Sequence, residues 1–93
     1  MNLTNEQTEI FRRAIRDYLD ANKGRYGLPA KAVAMHVKVG LGLDVSEGQA
    51  LDQLDYLERR DPPLVETVEK VISRERQNWR ITEDGRAFVD TMP

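Results

Sequence analysis

Apolar residues at Ile10, Phe11, Ala14, Ile15, Tyr18 and Leu19 recur three and four apart, the spacing that lays one stripe along an α-helix. Thr4 and Gln7 precede the stripe as a Thr-x-x-Gln capping box, in which each side chain satisfies the other residue's backbone N–H. A first helix is therefore predicted over about residues 5–21, ended by Asn22, Lys23 and Gly24. After a connector from Arg25 to Leu28, read as a loop or a brief strand, Pro29 suits the first position of a second helix, where its missing N–H costs nothing. In that helix, about 29–38, Ala30, Val33, Ala34 and Val37 face inward, and Lys31, Met35 and Lys38 take the other side. Gly40 and Gly42 are expected to break it and open a loop.

Ser46 and Gln49 repeat the capping box and start a third helix, about 47–60, with Ala50, Leu51, Leu54 and Leu57 as its buried stripe and Asp61, Pro62 and Pro63 as its stop. The stretch 64–72 fits helical spacing at Leu64, Val68, Val71 and Ile72, but Val65, Thr67, Val68, Val71 and Ile72 are β-branched, so we read a strand. Trp79 to Ile81 supplies a second strand, and the two form a β-hairpin over about 64–81 with a charged tip at Arg74 to Asn78. Trp79 is placed to pack over the hairpin or the third helix. Thr82 caps a last helix, about 83–90, whose Ala87 and Phe88 are expected to return to the core, while Gly85 allows close packing against the hairpin.

The chain has 93 residues, 40% of them hydrophobic and 32% charged, which suits one small globular domain rather than a disordered segment. It has no Cys, which excludes disulfides, thiolate catalysis and cysteine-based zinc sites and fits a reducing, cytoplasmic setting. The first ten residues show no basic segment followed by an apolar one, and the longest apolar run, Ala32 to Met35, is far too short to span a bilayer. Neither export nor membrane association is expected.

Three helices, a β-hairpin and a short closing helix, in that order, resemble a winged helix-turn-helix domain, an α+β fold. The run Leu54 to Glu66 (LDYLERRDPPLVE) resembles the end of a recognition helix entering the first wing strand. The run Trp79 to Asp90 (WRITEDGRAFVD) resembles the wing exit of MarR-like and PadR-like bacterial regulators, with Ile-Thr-x-x-Gly-Arg starting the next helix. The resemblance covers most of the chain and implies a small DNA-binding protein, regulator-like or phage-like in scale, whose third helix enters the major groove while the wing grips the backbone. The connection from Lys38 to Ser46 is longer than a simple helix-turn-helix turn, and the extra helices through which MarR-like regulators dimerise have no counterpart in these 93 residues. A homodimer, if one forms, or a contact with a protein partner has to use other surfaces.

Charge distribution divides this expectation. The net charge of −2 gives no global attraction for a polyanion. From Lys70 to Arg80, however, Lys70, Arg74, Arg76 and Arg80 outweigh Glu75, as a phosphate-gripping wing requires. From Asn22 to Lys38 there are Lys23, Arg25, Lys31 and Lys38 and no acid, so Lys31 and Lys38 join the candidate phosphate contacts. Helix 3 is the opposite: Glu47, Asp52, Asp55 and Glu58 outnumber Arg59 and Arg60, leaving Gln49, Gln53, Tyr56 and Arg60 as candidate base readers. Arg12, Arg13 and Arg16 are read as a solvated face, offset by Glu9, Asp17 and Asp20 at four-residue spacing.

The same acidic helix between basic flanks suits a second use, a protein-interaction or self-association module that binds no DNA, with Asp52, Asp55, Tyr56 and Met35 at its interface. No cofactor or metal site is expected, because His36 is the only histidine and lies on the flank of the second helix. Gly40-Leu41-Gly42 lacks the third glycine of a dinucleotide fingerprint, Val45 standing in its place. Ser46, Ser73 and His36 offer no spacing for a nucleophile, base and orienting group, so no enzyme is expected.

Overall fold

The computed structural model describes residues 3–22, 27–68 and 77–91, the last four by backbone alone. It is an α+β chain in the order α1 (Asn5–Ala21), β1 (Leu28–Pro29), α2 (Ala30–Leu41), α3 (Glu47–Arg59), β2 (Val65–Thr67), β3 (Asn78–Ile81) and α4 (Glu83–Thr91). The strands form an antiparallel sheet in the order β1-β3-β2. A Cα radius of gyration of 12.2 Å matches the roughly 12 Å expected of one folded unit of this length. No helix among the described residues is long and apolar enough to cross a membrane.

Both capping boxes form as their sequences require. The Gln7 amide donates to Thr4 Oγ1 at 3.1 Å while the Thr4 amide donates to Gln7 Oε1 at 3.0 Å. Ser46 and Gln49 make the same pair at 3.1 and 2.9 Å. Inward from these caps, Phe11, Ile15 and Leu19 of α1, Val33 and Val37 of α2 and Ala50, Leu54 and Leu57 of α3 share one core with Val65, Trp79 and Ile81 of the sheet. Ile10, expected on the buried stripe, is 43% exposed, because it stands about 100° around the helix from Phe11. Leu51 is half-buried, a quarter-turn from Ala50.

α2 begins and ends later than its sequence suggests. Pro29 is extended at φ −77° and ψ 158° and stands before the helix, ending β1, rather than at the first helical position. Its lack of an N–H is tolerated because β1 is an edge strand. Gly40 does not break the helix. One interior glycine costs only about 1 kcal/mol, and α2 runs on to Leu41, where Gly42 turns left-handed at φ 68° and donates its N–H to the Lys38 carbonyl at 3.1 Å. Val45, buried in the loop that follows, anchors the approach to α3.

Val65 pairs with Ile81, Glu66 with Arg80 and Thr67 with Trp79, while Leu28 and Pro29 pair with Trp79 and Asn78 from the other edge. The hairpin expected over 64–81 thus has its strands at 65–67 and 78–81: Leu64 and Val68 flank the first strand rather than belonging to it, Asn78, expected at the tip, opens the second, and residues 69–76 lie outside the described residues. Leu64 ties this region together: its N–H donates to the Leu57 carbonyl at 3.0 Å and its carbonyl accepts from Thr82 at 3.1 Å. Thr82 caps α4 by accepting from the Gly85 amide at 2.9 Å and donates to the Pro63 carbonyl at 2.7 Å. Ala87 is exposed rather than in the core, because α4 makes its close approach through buried Gly85, and two residues on the helix has turned to nearly the opposite face. Phe88 lies outside the described side chains.

A Cβ at Gly85 would run into the Leu64 carbonyl oxygen and lie 2.7 Å from Ile81 Cγ1, whereas a Cβ at Gly40 meets nothing within 4 Å. Gly85→Ala should therefore lower stability by about 1–3 kcal/mol, and Gly40→Ala should raise it by about 0.5–1 kcal/mol. Thermal unfolding reads both, at roughly 4–8 °C per kcal/mol for a domain of this size. A Gly85→Ala melt equal to the wild type would refute the tight contact.

Candidate interaction surface

At roughly 100° per residue, the outward line of α3 carries Gly48, Asp52, Asp55 and Arg59. Gly48, Asp52 and Arg59 are exposed and Asp55 is half-buried. The candidate base readers Gln49, Gln53, Tyr56 and Arg60 stand to one side of that line, on the flank facing α1. Gln49 Oε1 is occupied by the Ser46 amide. Arg12 of α1 engages the next two: its Nε donates to Gln53 Oε1 at 2.7 Å, and its guanidinium carbon lies 3.7 Å from the centre of the Tyr56 ring. Its Nη1 pairs with Glu9 at 2.9 Å. Tyr56 remains 42% exposed, and Arg60 is half-buried at the end of α3.

The arginines of α1 are therefore not a uniformly solvated face. Arg12 bridges to α3, and Arg16 is only 2% exposed, turned inward beside Leu19 and Ile15. Burial lowers the Arg16 pKa from the ordinary arginine value, helped by the charge of Arg60 and opposed by Glu9 and Asp17. Glu9 pairs with Arg12, three residues away, at 2.9 Å. Four-residue charge spacing hid this seam, because a long side chain reaches across to another helix as readily as along its own.

On the opposite flank of α3 stand Glu47, Glu58 and the half-buried Leu51, with Glu47 bordering α2. An open groove of about 230 Å³ lies between the two helices, lined by Lys31, Ala34, Met35, Lys38, Val45 and Glu47. A second groove of about 420 Å³ lies beyond α2 on its α1 side, lined by Tyr18, Ala32, Met35, His36, Val39 and Gly40. There the Tyr18 and His36 rings stack 3.9 Å apart at 10°. Met35 borders both grooves as a ridge.

Periodicity found the inward face of α2 and set Met35 on the outward one, but passed over Val39 beside it. Met35 is 57% exposed, Val39 78% and Leu41 48%, so the helix is apolar on both sides. The signal was present: among the twelve residues of α2, only Lys31 and Lys38 are charged. A helix that is apolar all round is ordinarily covered on all sides.

The candidate phosphate contacts divide. Lys31 and Lys38 are exposed, and Lys38 Nζ lies 3.9 Å from Asp44. Arg80 pairs across the sheet with Glu66 at 2.6 Å. Lys70, Arg74 and Arg76 lie outside the described residues. Among the described residues, no three His, Asp or Glu side chains gather as metal ligands would. No family model, curated protein or solved structure matches the chain.

The α1–α3 seam has a measurable strength. A double-mutant cycle of Arg12→Ala and Tyr56→Ala, followed by denaturant unfolding, should give a coupling of about 0.5–1 kcal/mol, as a partly exposed cation–π contact does. A coupling near zero would mean that the ring and the guanidinium are neighbours without mutual stabilisation.

Proposed function

We propose that the chain is a winged-helix module that works by binding another macromolecule rather than by catalysis, and that the macromolecule is a protein. The element order, with three helices, the strand order β1-β3-β2 and a hairpin after α3, supports the winged-helix reading. One observation carries the choice of partner: the outward line of α3, where a DNA-reading helix would meet phosphates and bases, presents Asp52 and Asp55 against a single cation, Arg59. Beside it, α2 exposes Met35 and Val39. Carboxylates aimed at a polyanion oppose binding, whereas charges of both signs around an exposed apolar ridge are how protein interfaces set orientation and exclude wrong partners.

Duplex DNA is the second reading. It is favoured by the exposed Lys31 and Lys38 on a helix without acids and by the basic composition of the hairpin tip. In that reading Lys70, Arg74, Arg76 and Arg80 join the two lysines on phosphate, and α3 reads bases through its α1 flank. Glu66 beside Arg80 and Asp44 beside Lys38 dilute the charge such a face would need.

Fluorescence anisotropy with a labelled duplex at about 50 and 200 mM salt separates the two. The expected result is binding no tighter than the non-specific range of about 10⁻⁴–10⁻⁶ M at physiological salt. Tighter binding that falls steeply with salt, and falls further when Arg74 and Arg76 are both changed to Ala, would replace the protein reading with the DNA one.

A further inference from the structure

The outer face of α2 carries two of the large apolar side chains that stand exposed, Met35 and Val39, and the only charged residues of the helix are Lys31 and Lys38. Whatever covers this face must bring apolar surface and negative charge together. Another α2 brings the first without the second, since its own charges are also lysines. The outward line of α3 and the flank beside it bring the second: Asp52 and Asp55 stand on the line, Glu47 and Glu58 on the flank, with half-buried Leu51 next to them. The two patches are neighbours on one molecule, separated only by the groove that Lys31, Lys38 and Glu47 line.

We propose that the occupant is a second copy of this chain, related by a two-fold axis so that α2 of each copy lies against the acidic side of α3 of the other. The proposal rests on reading this surface as a protein interface. Two adjacent patches of opposite sign are what a two-fold axis needs, because a contact of patch with counter-patch is then made twice and the pair closes on itself. Lys31 and Lys38 face the partner copy's Asp52 and Asp55, and the Met35 ridge seats between the charged rims. The arrangement uses none of the extra helices by which MarR-like regulators pair.

Charge exchange tests it. Sedimentation velocity over a dilution series should show a concentration-dependent dimer for the wild type. Lys31→Glu with Lys38→Glu sets acid against acid at both contacts, and Asp52→Lys with Asp55→Lys sets base against base. Each double variant should weaken self-association by about tenfold or more, because like charges placed across an interface are strongly unfavourable. Mixing the two variants should restore the dimer, since every contact in the mixed pair again opposes lysine to carboxylate. Met35→Gln, at an exposed position and of similar helix propensity, should weaken the dimer yet melt as the wild type does at concentrations where both are monomeric, which keeps the test open if the Asp52/Asp55 variant folds poorly.

A wild type that stays monomeric throughout, variants that dimerise as the wild type does, or a mixture that fails to recover although both variants melt normally would each overturn the proposal. A monomer that also ignores duplex DNA removes the second copy as occupant and leaves the protein reading standing. Tight, salt-sensitive duplex binding removes the reading itself.

Discussion

Strand β3 is paired on both edges, and the placement of the helices depends on that. Trp79, 1% exposed, sits opposite Leu28 on one side and Thr67 on the other. Leu28 leads directly into α2, and Thr67 ends the strand that follows α3. One strand therefore fixes where α2 starts and where the chain goes after α3. The alternation along β3, with Trp79 and Ile81 inward and Arg80 outward, turns the sheet's apolar face to α1 and leaves its polar face to the Arg80–Glu66 pair. With so small a core, each such constraint matters, because a domain of this length buries a smaller share of its surface than a larger one.

The angle between α2 and α3 is a consequence, and it creates the surface argued above. Gly42 and buried Val45 set the path from one helix to the other, and the Ser46–Gln49 box fixes where α3 begins. The α1 side of α3 is closed by Arg12 on Gln53 and Tyr56. What remains open is the side where basic α2 and acidic α3 look across a groove. The exposed ion pairs Lys38–Asp44 and Arg80–Glu66 add little stability, since such pairs contribute roughly 0–1 kcal/mol. Their effect is on the surface potential, which they break into short stretches of alternating sign.

Local chemistry made part of this legible in the sequence. Thr4 with Gln7 and Ser46 with Gln49 announce their helices because a capping box is a reciprocal pair within four residues, needing nothing from the rest of the chain. α1 begins and ends where the pattern puts it for that reason. The end of α2 was less legible, because a mid-helix glycine is a modest penalty that packing overrides, and only the left-handed Gly42 is a true stop. Ala87 was misplaced because the close contact of α4 is decided by the absence of a side chain at Gly85, which no hydrophobic pattern records. Arg12 and Arg16 were hidden for a related reason: their spacing to acids on α1 is real, but their partners and their burial come from other elements.

The overall charge of −2 shows how little a sum says about a surface. Within a Debye length of roughly 8–10 Å, what a partner feels is the local set of side chains. On α3 that set is acidic outward and carries Arg60 beside the uncharged Gln49, Gln53 and Tyr56 toward α1; on α2 it is basic at the rim and apolar at the crest. A polyanion laid along both helices would gain from two lysines and lose to the carboxylates beside them. A folded partner with its own mixed surface meets no such conflict, because it can place acid on Lys31 and Lys38, base on Asp52 and Asp55, and apolar atoms on Met35 and Val39. The interleaving that counts against a polyanion is the same feature that would give a protein partner its register.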